Sequence, residues 1–184
     1  MKRSYIIIGA IVGILAIIFI SYISIYNKAV SLQEKVDEKW ANVQSAYQRR
    51  ADLVPQLVET VKGAAKNEKD ILTQVTNARA GIVNAKSPED LDIAGKKINT
   101  AINLAFEAYP QIRSTDNFAT LQAQLEGTEN RIKQERDLYN EAIKDYNTTI
   151  RGFFARMFLN SETFPKKTGF KAQTGSENAP KVQF

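Results

Sequence analysis

Three observations predict an all-α chain, in which a single N-terminal transmembrane helix is followed by an up-and-down bundle of long antiparallel helices. The first is an unbroken apolar run from Tyr5 to Tyr26. The second is a pair of long stretches in which apolar or small residues recur in alternating steps of four and three, the spacing of a single helix stripe. The third is the punctuation at Ser87-Pro88 and Tyr109-Pro110, where proline opens or ends a helix.

The apolar run follows a short basic flank, residues 1–4, that carries Lys2 and Arg3. It contains no Asp, Glu, Lys, Arg, Asn or Gln. As helix its length is about 33 Å, enough to cross a hydrocarbon core. A cleaved signal peptide is the rival, but such a peptide carries only about 7 to 15 apolar residues before a small-residue cleavage site. The end of this run, Tyr22-Ile23-Ser24-Ile25-Tyr26, offers no such site, so 5–26 is expected to remain as an anchor.

The bundle domain is expected over 27–160. From Val36 to Ile82 the stripe passes through positions at which only Arg50 and Glu68 are charged, which predicts one long helix. Pro55 lies inside it, and because the stripe keeps its phase on both sides a kink is expected there. Ser87-Pro88-Glu89-Asp90 then supplies an N-cap, a first-turn proline and acids facing the positive helix end, so a second helix runs from Pro88 to about Ala108. Tyr109-Pro110 stops it. A third helix begins near Asp116 and carries the stripe from Phe118 to Phe153, widened by Ile143 and Ile150. Residues 161–184 are polar, contain two glycines and two prolines and show no periodicity, so they read as a disordered tail.

The net charge of +5 and a pI of about 9.3 would favour an anionic partner if the charge were concentrated on one face. It is not. The two ends hold the excess, leaving 19 basic against 18 acidic residues over 27–160, so nucleic acid is not an expected partner. The chain has neither Cys nor His. That removes thiolate and imidazole metal ligands, the cysteine nucleophile and every dyad built on histidine, and no cofactor or metal is expected. A carboxylate pair such as Glu129 and Glu135 would need a cleft to do acid–base work, whereas a narrow helical bundle fills its interior with side chains. The chain is therefore read as no enzyme.

Several motifs together resemble the LemA family of bacterial membrane-anchored helical proteins. They are Tyr26-Asn27-x-x-Val30-x-Leu32, Trp40-x-x-Val43, and the block from Arg49-Arg50-x-Asp52-Leu53-Val54-Pro55 to Lys62-Gly63. Further on come Ala78-Arg79, Tyr109-Pro110, Phe118-x-x-Leu121-Gln122-x-Gln124-Leu125-Glu126-x-Thr128-Glu129-Asn130, Tyr139-Asn140 and Tyr146-Asn147-x-x-Ile150. The resemblance implies one N-terminal membrane helix, an up-and-down bundle and a place in envelope upkeep or membrane organisation. It implies no established biochemical activity. Gly152-Phe153-Phe154-Ala155 departs from it, standing where the family pattern has a Phe-Pro pair.

Four groups of residues are candidate sites. Arg50 and Glu68 on the first helix, with Glu129 and Arg136 on or beside the stripe of the third and Glu135 next to them, are expected to meet as a buried polar cluster. Such a cluster sets helix register or binds a small ligand or ion, and register is the better-attested use. Gly9 and Gly13 have the spacing that lets two membrane helices approach closely, and they are the candidate homo-oligomerisation site. A first helix longer than the second would also leave apolar stripe uncovered, a second reason to expect self-association. Trp40, Tyr47, Tyr139 and Tyr146 are read as core aromatics. Phe153, Phe154, Met157 and Phe158, interleaved with Arg151 and Arg156, either dock on a bilayer or neighbouring subunit or form the last turn of the third helix on the bundle end.

The expected whole is a scaffold or adaptor of a bacterial inner membrane, in contact with lipid, with copies of itself and with other membrane or envelope proteins. The alternative is a small-ligand or ion sensor using the polar cluster. Lys2, Arg3 and the amino terminus outweigh the scattered Lys28, Lys35 and Lys39, which favours a cytoplasmic N-terminus and an external bundle over the reverse.

Overall fold

The protein was analysed as a computed structural model that describes residues 2–59, 68–108 and 117–171, with side chains over 5–56, 73–107 and 119–171. Five helices are present among these residues: α1 (Lys2–Glu59), α2 (Glu68–Val83), α3 (Pro88–Ala108), α4 (Asn117–Ile150) and α5 (Phe153–Phe158). Two compact units form, one from Met1–Ala41 with Glu141–Lys167, the other from Asn42–Asn140 with Thr168–Phe184.

In the second unit α1, α2, α3 and α4 run up, down, up and down. Gln44 Nε2 donates to the Ile82 carbonyl at 3.1 Å while Arg79 pairs with Asp52, so α2 runs opposite to α1. Tyr47 meets Asp92 and Arg50 meets Asn99, so α3 runs parallel to α1. Arg136 reaches Tyr47 and Arg50 reaches Leu125, so α4 is antiparallel to it. The core is rich in alanine: Ala46, Ala51, Ala78, Ala94, Ala101 and Ala105 are buried with Val43, Val54, Val75, Ile82, Leu91 and Ile98. Small side chains let helix axes come close, as at Gly81, where an added Cβ would sit 3.6 Å from that of Ala94.

The expectation of one helix running through to Ile82 is corrected. Twenty-seven residues separate Asp52 from Arg79, which in a continuous helix is roughly 40 Å, yet the two side chains form an ion pair. The stripe keeps its phase because both legs of the hairpin bury their own three-and-four pattern, Val43, Tyr47 and Val54 on one and Val75, Ala78 and Ile82 on the other. Pro55 lies inside α1, which continues past it without the amide that would donate to the Ala51 carbonyl.

α3 starts where its sequence signals place it. Asp90 N donates to Ser87 Oγ at 3.2 Å and Ser87 N donates to Asp90 Oδ2 at 3.0 Å, a reciprocal capping box. The Lys86 amide donates to the same carboxylate, and these bonds hold its pKa below the usual carboxylate range.

In the first unit, Ala29 and Val36 of α1 are buried, as are Ala142, Ile143 and Tyr146 of α4, Ala155 and Phe164. Here two expectations are corrected. α4 does not continue through Phe153: it ends at Ile150 and a turn at Arg151-Gly152 leads into α5. The Gly152 amide donates to the Thr149 carbonyl at 3.1 Å and its backbone then turns extended, with ψ 153°, which ends the helical ladder although the apolar spacing carries on. Nor is all of 161–184 a disordered tail. Residues 161–171 form an ordered strap in which Phe164 and Phe170 are buried; 172–184 lie outside the described residues.

The strap is held by asparagine amides that act as surrogate peptide groups. In the first unit Asn147 Nδ2 donates to the Lys167 carbonyl at 2.8 Å, and the Lys167 amide donates back to Asn147 Oδ1 at 3.1 Å. In the second unit Asn140 makes the same pair with Phe170, at 3.1 and 2.8 Å. Each amide satisfies both backbone groups of one extended residue. The tyrosine preceding each asparagine is buried. Tyr146 donates its hydroxyl to the Pro165 carbonyl at 3.1 Å, and the Tyr139 ring meets Phe170 edge-on at 5.7 Å.

Two helical glycines give opposite expectations. At Gly95 an added Cβ would lie 2.6 Å from Cε1 of the buried Tyr47 ring, so Gly95→Ala should lower unfolding stability by about 1–2 kcal/mol in urea titration, overpacking outweighing helix propensity. Gly127 in α4 is exposed with nothing within 4 Å, so Gly127→Ala should raise stability by about 0.5–1 kcal/mol; the same sign at both sites would contradict this packing.

Candidate functional site

The charged residues of the second unit gather along an open cleft of about 380 Å³, lined by Tyr47, Arg50, Asp92, Asn99, Glu129 and Arg136 among others. Two sets of bonds build it. In the first, the Arg50 guanidinium donates through Nε to Asn99 Oδ1 at 3.0 Å and through NH1 to the Leu125 carbonyl at 2.8 Å. The same NH1 lies 3.1 Å from Glu129 Oε2. Thr128 Oγ1 also donates to the Leu125 carbonyl, at 2.9 Å. One arginine of α1 thus ties α3 to α4.

In the second set, the Tyr47 hydroxyl donates to Asp92 Oδ1 and accepts from Arg136 NH1, each at 3.4 Å, while Arg136 pairs with Asp92 at 3.0 Å. Burial pushes the Tyr47 hydroxyl up to about 12, opposed by Arg136 and reinforced by Asp92, so it keeps its proton at neutral pH and remains a donor. The Arg136 guanidinium also lies 4.4 Å from the centre of the Phe170 ring, a cation–π contact that reaches the strap. Arg50 is pulled down in pKa by burial and pushed back by Glu129, and an arginine so placed stays charged.

Arg50, Glu129 and Arg136 of the expected cluster are therefore on one cleft, but Arg50 and Arg136 belong to separate sets of bonds, and the cluster is half-buried. The Arg50 side chain is 12% exposed and that of Glu129 58%. The Glu68 side chain lies outside the described residues. Glu135 turns elsewhere: it is 2% exposed and pairs with Arg131 at 2.7 Å. Asp92 and Asn99 complete the cleft, and nothing in the spacing of α3 marks them among its other polar residues.

Of the core aromatics, Tyr47, Tyr139 and Tyr146 are buried and Trp40 is half-buried. Gly9 and Gly13 are exposed with nothing within 4 Å. Phe153, Phe154 and Met157 are exposed and Phe158 half-buried, which overturns their reading as a last turn packed on the bundle end. The uncovered stripe expected on the bundle is also absent among the described residues. α2, α3 and α4 cover it, and among the described residues of the second unit only Val83 and Ile93 remain as exposed large apolar side chains.

Chemically, the cleft's arginines are matched by carboxylates, and its best-shielded bonds join helices. Among the described residues no group of three or more acidic side chains converges to hold a metal ion. Among them too, one helix is long and apolar enough to cross a membrane, with mean hydropathy 2.9 over its most apolar window and none of that window buried.

An exposed apolar helix that continues into an antiparallel bundle pinned by arginine bonds defines the class. The sequence pattern of the LemA family matches residues 39–184, and the chain belongs to that family. It is 22% identical over 144 residues to Protein LemA of Metamycoplasma hominis, covering 76% of this chain and 66% of the relative. It is 27% identical over 177 residues to each of the magnetosome proteins MamQ 1 and MamQ 2 of Paramagnetospirillum magneticum, covering 77% of this chain and 65% of theirs. The chain thus spans just under two thirds of the length of these relatives.

The two sets of bonds separate hydrogen bonding from charge. Arg50→Ala should lower stability by about 1–3 kcal/mol, since it leaves the Leu125 carbonyl and Asn99 short of a donor, whereas Glu129→Gln should cost under about 1 kcal/mol at so exposed a carboxylate. The swap Arg50→Glu with Glu129→Arg should not restore stability, because a carboxylate cannot donate to a carbonyl. Recovery in denaturant titration would show that charge pairing alone sets the contact.

Proposed function

We propose that this chain is a non-enzymatic, single-pass scaffold or adaptor of a bacterial inner membrane, which organises membrane or envelope proteins by presenting helix faces. One observation carries the reading: the apolar run and the bundle's first helix are the same element, α1, with no linker between them. Whatever the bundle binds is thereby coupled to the membrane. Membership of the LemA family supports it.

Self-association belongs to the membrane segment in this reading. The bundle's stripe is covered, whereas Gly9 and Gly13 form an open groove one helical turn apart on the exposed apolar run. Lipid and a second copy of the chain are the first partners, and no nucleic acid is among them. The bundle lies on the external side, by the basic flank of residues 1–4.

A second reading, a sensor for a small ligand or ion, draws on the cleft beside Arg50 and Arg136. It is the weaker one, since both cations already have carboxylate partners and a ligand would have to displace them.

The assembly is tested by the mass of the purified, detergent-solubilised chain. It should exceed that of one chain and fall to it when Gly9→Leu and Gly13→Leu are combined; a wild-type chain that is already single, or an unchanged oligomer in the variant, would refute the groove. Orientation is tested by Ser176→Cys in this cysteine-free chain. An impermeant thiol reagent should label it in spheroplasts, and labelling only after lysis would place the bundle inside.

A further inference from the structure

The first unit contains an apolar surface that neither the bundle nor the cleft accounts for. In α5, Phe153, Phe154 and Met157 are 75%, 60% and 65% exposed, while Ala155 is buried and Phe158 half-buried on the opposite side. A six-residue helix therefore turns one side into its own unit and shows three large apolar side chains outward. The Phe153 and Phe154 rings meet edge-on at 5.3 Å, so the exposed surface is continuous.

Its inner side fixes where that surface is. The Phe158 ring meets Tyr22 edge-on at 5.9 Å, and in the strap just beyond, the Phe164 ring meets Tyr26 edge-on at 5.5 Å. Tyr22 and Tyr26 are the last aromatics of the apolar run, and the first charged residue after them is Lys28. Six residues of helix from Tyr22 to Lys28 rise about 9 Å. The position of α5 is thus the end of the apolar run, level with its closing tyrosines, at the depth where an aromatic belt meets the headgroups.

Resting on the reading that this run spans a bilayer, we propose that α5 is a second membrane contact. It lies in the interface of the leaflet through which α1 leaves, with Phe153, Phe154 and Met157 among the upper acyl chains and Arg151, Arg156 and Lys28 at the lipid phosphates. These three cations are exposed in the same unit. In water, three large apolar side chains beside the end of a membrane span would have nothing to cover them; in the interface the lipid that surrounds α1 covers them. Tyr22 and Tyr26 then have two tasks, anchoring α1 at the headgroups and providing the surface on which α5 and the strap rest.

The absence of cysteine gives a direct test. A nitroxide spin label is placed at Met157→Cys, and separately at Phe154→Cys, in the full chain reconstituted in bilayers containing anionic lipid. Collision rates with oxygen and with a water-soluble nickel chelate are then measured. Both positions should favour oxygen, to a smaller degree than Ile14→Cys in the span, while Val83→Cys on the bundle should favour the nickel chelate. If Met157→Cys and Phe154→Cys behave like Val83→Cys while Ile14→Cys favours oxygen, α5 stands in water and the proposal is overturned with the span intact. Protection from both reagents would mean that a second copy covers α5, which overturns it equally. If Ile14→Cys itself favours nickel, the spanning reading fails and this one with it.

Discussion

The second unit depends on the close approach of one aromatic ring to one glycine. Tyr47 comes from α1 and is 4% exposed, and its ring edge occupies the place that a Cβ on Gly95 of α3 would need. Only because that position is glycine can the hydroxyl reach far enough to meet Asp92 of α3 and Arg136 of α4. An apolar ring thus sets the spacing of three helices, and its polar tip sets their register. The magnitudes rank these effects. Each half-exposed ion pair of the cleft contributes at most about 1 kcal/mol, whereas overfilling a close-packed core typically costs about 1–3 kcal/mol. Packing therefore fixes the fold of this unit, and the charges select among arrangements that packing already permits.

Much of the fold was legible because each signal had a local cause. The apolar run needs only its length and composition, and α3 announces itself through Ser87, Pro88 and Asp90, whose chemistry at a helix start is independent of anything distant. The α1–α2 hairpin was not legible from periodicity. A stripe that turns back on itself looks the same as one that continues, since each leg buries apolar residues at the same spacing. At Gly152 the error was similar: apolar residues keep helical spacing across the break because both sides of the turn are amphipathic.

The candidate cleft was half legible for a related reason. Charges on an apolar stripe stand out, so Arg50 and Glu129 could be found. Asp92 and Asn99 sit among ordinary polar residues of α3, and only the folded arrangement brings them to the arginines. The strap was illegible from composition, since Gly, Lys and Thr conceal two buried phenylalanines. Its signal was elsewhere, in the repetition of Tyr139-Asn140 as Tyr146-Asn147 seven residues later. That repeat sets a buried ring and a side-chain amide side by side on α4, and each amide holds one residue of extended chain.

An amide that stands in for a peptide group also brings a chemical lifetime with it. Backbone amides resist hydrolysis under conditions in which asparagine side chains slowly deamidate. At Asn140 the reaction would replace the Nδ2 donor by a carboxylate oxygen facing the Phe170 carbonyl, two acceptors where a donor and an acceptor now meet. The strap beside Tyr139 would be repelled by the group that now secures it, and Arg136 would gain a nearby anion to compete with Asp92. In this unit the ageing of a single side chain therefore turns one of the two bonds that hold Phe170 into a repulsion, with no peptide bond cut.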